Sequence, residues 1–289
     1  MADEAYSFNV GEIQCAPLSD GSLPYPPNWF FANVPQQRLE EELRAHGLRT
    51  DEVTGTYTCL LVSTGKNKVL IDTGAGKIAP STGELMVNLE KAGANASEID
   101  TVILTHGHPD HIGGAVDAEG KPAFPNARYL MWKDEWEFWT SEEPDLSAVQ
   151  LPEEIKRGLI LRTARRCLPP LRKQIELVEK ESEVVPGIHL LPAPGHTPGH
   201  SAVAVSSGRD SVLHVADAVL HPILMEQPTW RTVFDLEQDR AAETRRRLLD
   251  RAAADKTKVM AYHFPFPTLG RVASRRAGGW QWEPASLTI

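Results

Sequence analysis

Residues 101–111 constrain the fold more than any other stretch, because the apolar run Thr101-Val102-Ile103-Leu104-Thr105 passes straight into His106-Gly107-His108-Pro109-Asp110-His111. An apolar run this short, bounded by turn residues, is the size of a strand buried on both faces, so layers must pack on either side of it. Three imidazoles and a carboxylate then crowd the loop at its carboxyl end. Without a cation they would repel when protonated and leave nitrogens unpaired when neutral. The economical explanation is a metal, for which neutral imidazole and carboxylate are ordinary ligands. Gly107 lets the backbone bend between the first two histidines.

The rest of the chain alternates strands and helices in two halves. Residues 54–62 and 68–72 read as strands about a Lys66-Asn67 turn, and 83–94 reads as a helix through Leu85, Met86, Leu89 and Ala92. In the second half, 187–192, 201–205, 211–216 and 258–262 read as strands, with a helix over 236–254. The pattern implies an α/β fold of sheets inside and helices outside. Residues 1–50 are expected to form an N-terminal arm, extended through the Pro-rich 23–31 and helical at 37–46. Residues 51–289 form the main domain, with a helical insertion at about 128–183. In that insertion Trp132, Trp136 and Trp139 share one helical face, which either docks on the core or walls a cleft. Residues 156–173 carry seven Lys/Arg and no acid, read here as a solvated helix face.

Further ligand-type residues stand where later strands give way to loops, the usual place for α/β sites. Gly195-His196-Thr197-Pro198-Gly199-His200 carries two imidazoles, Asp217 follows the strand at 211–216, and His263 follows the one at 258–262. His214 alternates with Asp217 and should point to the opposite face, into packing. His200 is left open between bracing a ligand and capping the next element. His221, four residues past Asp217, is the candidate for a leaving-group acid or substrate contact.

Composition narrows the partners. With 30 Lys+Arg against 39 Asp+Glu the net charge is −9, which disfavours nucleic acid and anionic membrane surfaces. No apolar run approaches the ~20 residues that span a bilayer. The acidic start lacks the order of a signal peptide, and Cys15, Cys59 and Cys167 are too few and too far apart for a disulfide framework. A cytoplasmic protein acting on a small molecule is expected, with a homodimer through the apolar arm.

Taken in order, His106-x-His108-x-Asp110-His111, His196, Asp217 and His263 resemble the metal-binding pattern of the metallo-β-lactamase superfamily. Asp72-Thr73-Gly74 and residues 195–200 match two further elements of that family, and the resemblance runs from about 54 to 264. It implies a four-layer αβ/βα sandwich and two divalent metal ions, zinc foremost. By position, His106, His108 and His196 would hold the first ion, Asp110, His111 and His263 the second, and Asp217 would bridge them. A hydroxide shared by the ions would be the nucleophile, oriented or deprotonated by Asp110, with Asp72 as a candidate for holding a ligand in place. Zinc β-lactamases have Cys where Asp217 stands, or lack that carboxylate. The resemblance therefore points to a hydrolase of lactones or esters, acyl-homoserine lactones among them, with phosphotriesters as an associated activity. Quorum-quenching lactonases place a Tyr shortly after the bridging Asp, where this chain has Ala218-Val219-Leu220-His221. Methyl parathion hydrolase-like enzymes carry a His in that neighbourhood. A thioester hydrolase and an iron-dependent persulfide oxygenase are the remaining alternatives, the latter at odds with a complete second ligand set.

Overall fold

Val69, Ile71, Ile103 and Leu130 meet Ile188, Leu190, Val203 and Met260 in a core enclosed between two sheets. The computed structural model describes residues 6–286; the acidic start at 1–5 lies outside the described residues. The first seven-stranded sheet runs in chain order through Phe8–Val10, Ile13–Tyr25, Val53–Ser63, Lys68–Ile71, Thr101–Ile103, Arg128–Trp132 and Ile175–Val178. The second runs through Ser182–Val185, Ile188–Pro192, Ser201–Ser207, Asp210–His214, Lys258–Met260, Leu269–Ser274 and Trp280–Pro284.

Helices cover both outer faces, each by an apolar stripe. Leu89 of Leu85–Lys91, Trp136 and Trp139 of Lys133–Thr140, and Ala164 of Arg162–Cys167 pack on Leu70, Val102 and Tyr129 of the first sheet. Leu248, Leu249 and Ala252 of Gln238–Asp255 pack on Leu213 and Val259 of the second. The order is helix, sheet, sheet, helix, the four-layer sandwich that the resemblance implies. Adjacent strands Lys68–Ile71, Thr101–Ile103 and Arg128–Trp132 are parallel, as are Asp210–His214 and Lys258–Met260. Their carboxyl ends therefore deliver Asp72, the loop 104–111, Asp217 and His263 to loops of the same kind, where the site forms.

The arm is not separate from this frame. Ile13–Tyr25 pairs antiparallel with Val53–Ser63 along its length and accommodates its register through a bulge between Ser19 and Gly21. The Pro-rich stretch expected to be extended, 23–31, overlaps this strand only at Leu23–Tyr25 and is not extended beyond it. Pro27 then opens a one-turn helix, Pro27–Phe30, where a fixed φ suits the first helical position. Phe30 and Phe31 are buried in the chain's own core beside Trp230, while Leu23, Tyr25 and Trp29 of the same arm are only partly covered. The segment at 128–183 is helical only in its middle, because Arg128–Trp132 and Ile175–Val178 are strands at its ends. Trp132 accordingly leaves the face shared by Trp136 and Trp139 and packs between the sheets. Among the described residues no helix is long and apolar enough to cross a membrane.

Candidate metal centre

The loop 104–111 is shaped by two close approaches and one proline. A side chain at Gly107 would lie 2.2 Å from Trp139, so only glycine lets the loop rest on that indole. Gly199 of the second histidine loop meets the backbone of Glu135 equally closely, at 2.2 Å. Pro109 starts the short helix Pro109–Ile112, which turns Asp110 and His111 back toward the strand end. Asp72 and Ala216 both adopt left-handed backbone, with φ of 62° and 44°, at the points where two strands leave the sheets. Such strain gathers where structure must aim a functional group.

These turns bring seven predicted residues into two groups, His106, His108, His196 and Asp217 in one and Asp110, His111 and His263 in the other. In the first, His108 Nδ1 lies 3.1 Å from His106 Nε2 and 3.0 Å from His196 Nε2. Their far nitrogens are held as donors: His106 Nδ1 donates to Thr105 Oγ1 at 3.1 Å, and His196 Nδ1 donates to Asp235 Oδ1 at 2.8 Å. His106 Nε2 and His196 Nε2 thus present lone pairs to one point, on which His108 Nδ1 also converges. Their spacing is close to the ~3.3 Å edge of a tetrahedron with zinc–nitrogen bonds of about 2.0–2.1 Å.

In the second group, His111 Nδ1 donates to Asp72 Oδ2 at 2.7 Å and His263 Nδ1 donates to the Thr56 carbonyl at 3.0 Å. Both Nε2 atoms therefore face inward. Asp110 Oδ2 stands 3.8 Å from His111 Nε2 and 3.4 Å from His263 Nε2. Asp217 reaches both groups, its Oδ2 3.4 Å from His196 Nε2 and 3.0 Å from His263 Nε2, its Oδ1 3.2 Å from His111 Nε2. His111 Nε2 and Asp217 Oδ1 are buried without a hydrogen-bond partner. Buried polar atoms are normally paired, and a cation bound between them would satisfy both. Burial and neighbouring imidazoles hold His106 and His108 well below the usual histidine range, in the neutral form that binds metal. Burial alone would do the same to His111, but Asp217, Asp72 and Asp110 together outweigh it and raise its pKa, the mark of a site rich in negative charge. The donor set fits two divalent ions.

Two buried acids that the sequence did not single out brace the candidate ligands. Glu135 Oε1 accepts from Gly107 N at 2.8 Å and Trp139 Nε1 at 2.6 Å; its Oε2 accepts from Thr197 Oγ1 at 2.7 Å and Gly199 N at 2.9 Å. One carboxylate thereby ties the loop of His106 and His108 to the loop of His196. Asp235 holds His196 and faces Arg245 Nη2 at 3.5 Å, a guanidinium that also donates to the Ala218 carbonyl at 2.9 Å beside Asp217. Glu135 reads as one more acid at a charged helix start. Asp235, set between Phe234 and Leu236, carried a weak signal in being flanked by apolar residues.

The remaining histidines separate by what they bond. His200 Nε2 accepts from Asp217 N at 3.1 Å and its Nδ1 donates to the Ala193 carbonyl at 2.9 Å, so it supports the turn that carries Asp217. His214 is fully buried, paired in register with Val203 and Met260 of the core between the sheets, and Asp72, His111 and Asp217 lie near enough to act on its charge. His221, the candidate leaving-group acid, caps the helix Pro222–Glu226: its Nδ1 accepts from Ile223 N at 3.2 Å. Its ring packs edge-on against Phe31 at 5.3 Å, and it is not among the residues lining the cavity over the metal centre. The following proline and that aromatic contact turn it away.

That cavity, of about 280 Å³, has His108, Asp110, His196, Asp217 and His263 at its base. Its walls are apolar and draw on the N-terminal segment (Leu23, Trp29, Phe30), the helical run (Leu159, Ile160) and Phe234. Tyr25 and Tyr57 also line it, their hydroxyls hydrogen-bonded to each other. Burial raises the pKa of both, with Asp110 and Asp217 nearby adding to it, so both phenols stay protonated.

The sequence pattern of the metallo-beta-lactamase superfamily matches residues 54–263. An N-acyl homoserine lactonase of Bacillus sp is 30% identical over 181 residues, 55% of this chain and 62% of the relative. One from Bacillus cereus is 27% identical over 54% of this chain and 60% of its own length. The chain thus spans about three fifths of the length of these relatives. Among solved structures, AidC, described as a dizinc quorum-quenching lactonase in complex with a product, is 28% identical with a TM-score of 0.91, covering 99% of this chain and 98% of its own. A hydrolase called AbOPH, described as in the beta lactamase superfamily, is 27% identical with a TM-score of 0.90 over 100% of both chains. The chain belongs to the metallo-beta-lactamase superfamily.

Proposed function

We propose that this protein is a dinuclear metal-dependent hydrolase, zinc-loaded, that opens a lactone or ester with an apolar acyl portion. The observation that carries the reading is the apolar cavity set directly over two convergent ligand groups, with Asp217 reaching both. His106, His108 and His196 would hold one ion, Asp110, His111 and His263 the other, and Asp217 both. Bound there, two divalent ions would supply Lewis acidity toward the scissile carbonyl and a water acidic enough to attack as hydroxide near neutral pH.

The chain's own groups do the rest. Asp110 is the most solvent-accessible of the ligand carboxylates and is placed to orient the attacking water or take its proton. The apolar walls exclude competing water and seat the acyl chain. The Tyr57 hydroxyl, held by Tyr25 and kept protonated, is positioned as the proton donor to the leaving oxygen in place of His221. The similarity to acyl-homoserine lactonases supports a lactone as substrate. The aromatic edge of Trp29, Phe30 and Phe234 favours aryl esters and phosphotriesters as a second activity of the same site.

The test is acid release from an acyl-homoserine lactone in a pH-stat, with zinc-loaded enzyme and a chelated control. A kcat/KM of about 10⁴ M⁻¹s⁻¹ or more, lost on chelation, supports the lactonase reading. A negligible rate from enzyme holding two metals refutes it and leaves aryl esters and phosphotriesters to be assayed.

A further inference from the structure

The basic run at 156–173 takes no part in the metal centre. Its helix Arg162–Cys167 lays Arg162 and Arg166, one turn apart, along a groove of about 1010 Å³ whose other lining includes Lys77 and Lys121. Among the lining residues Asp117 is the single carboxylate, and its Oδ1 already accepts from Lys121 N at 2.8 Å. Among the described residues none of the four cations makes an ion pair, and Arg166 alone has a side-chain hydrogen bond, to the Asp117 carbonyl at 3.0 Å. Other exposed cations among the described residues also lack an ion pair, but these four converge on one concavity, whereas Arg128 and Lys133 are neutralised by Glu176 and Glu179. Four like charges around one concavity, with free donors, repel one another until an anion enters. Ile78 and Leu159 line both this groove and the catalytic cavity, so the two spaces share a wall.

We propose that the groove is an anion subsite beside the catalytic cavity, taking a carboxylate or phosphate group. Lys77 adjoins Ile78, and Arg162 lies one helical turn past Leu159, so these two cations stand nearest the shared wall. The group is either the far end of the substrate, a clause that rests on the hydrolase reading, or a small free anion. Both meet the same donors.

The experiment compares two p-nitrophenyl esters of equal chain length, one ending in a methyl and one in a carboxylate, at low ionic strength on metal-loaded enzyme. Calorimetry with sodium sulfate, a poor zinc ligand, runs beside it. The carboxylate ester should be preferred about tenfold in kcat/KM, as expected for one anion facing several cations. In K77Q/R162Q the preference should vanish while the neutral ester is turned over unchanged, which also shows that the variant folds. Sulfate binding lost in K77Q/R162Q, with no preference between esters, assigns the subsite to a free anion. Neither preference nor sulfate binding overturns the proposal. If neither ester is turned over, the hydrolase reading is what fails, and the sulfate titration still decides the groove.

Discussion

Asp72 Oδ2 and His111 Nδ1 lie 2.7 Å apart, and both side chains are fully buried. The same carboxylate accepts from the Thr105 amide and hydroxyl, each at 2.8 Å, and Thr105 Oγ1 in turn accepts from His106. Asp72 therefore sets the ring orientation of one ligand in each group, directly for His111 and through Thr105 for His106. An Asp72→Asn change keeps the shape but can present an amide N–H to His111. Loss of such a partner typically lowers metal affinity or activity about 10–100-fold. Chelator competition should show the weaker of two bound ions weakened further in D72N, with the fold intact by circular dichroism. Unchanged affinity at both ions would separate Asp72 from the metal centre.

Glu135 acts on the other side of the site. Truncation to Ala leaves four buried donors unmatched: Gly107 N, Gly199 N, Thr197 Oγ1 and Trp139 Nε1. At about 1 kcal/mol per hydrogen bond the loss is about 3–5 kcal/mol, more than any exposed acid would give. Glu135→Gln retains one acceptor oxygen and lets Thr197 reorient, so denaturant midpoints should rank wild type, E135Q, E135A. The His108 and His196 loops should loosen together, lowering first-ion affinity in E135A. A stable E135A with unaltered metal binding would show that the two loops hold their spacing without it.

The candidate ligands were legible because metal chemistry writes itself into residue type: seven His and Asp residues at strand ends, which the fold gathers into two groups, have few other reasons to be there. Glu135 and Asp235 were not, since one acid among many has no signature until its donors are placed around it. The core strands 68–72 and 101–105 were read from apolar runs. Ile13–Tyr25 was not, because Pro17, Asp20 and Pro24 break the alternation; the prolines pair in register and a bulge absorbs Asp20. His221 shows the limit of spacing arguments: four residues past Asp217 is near in sequence, but Pro222 and Phe31 settle which way the ring faces.

Burial, with the neighbouring His46 adding to it, pushes the His221 pKa down from 6.5 to about 3. The folded state keeps the ring neutral, while the unfolded chain takes a proton below about pH 6.5. Its contribution to stability is therefore complete above pH 6.5 and lost as pH falls toward 3, on the order of 3 kcal/mol by pH 4. Asn caps a helix as well as histidine and does not titrate in this range. The stability difference between wild type and H221N, measured by urea at matched metal loading, should shift in favour of H221N between pH 6.5 and 4. At pH 7.5 hydrolysis by H221N should stay within about twofold of wild type, whereas loss of a general acid would lower it about 10²–10⁴-fold.

The Tyr25–Tyr57 hydroxyl pair gives the sharpest separation of chemistry from packing. Both rings line the cavity beside Asp110 and Asp217, and removing one hydroxyl leaves the apolar wall in place. If Tyr57 protonates the leaving oxygen, its importance scales with how poor that leaving group is. Tyr57→Phe should lower kcat on an aliphatic lactone by about 10²-fold, the range for a positioned general acid. On a p-nitrophenyl ester, whose phenolate departs without a proton, kcat should change little. A merely structural hydroxyl would move both substrates together. Y25F, which removes only the partner that orients Tyr57, should show a smaller loss confined to the lactone. Equal effects on lactone and aryl ester in Y57F would take the proton-donor role from this tyrosine and return it to water at the metal centre.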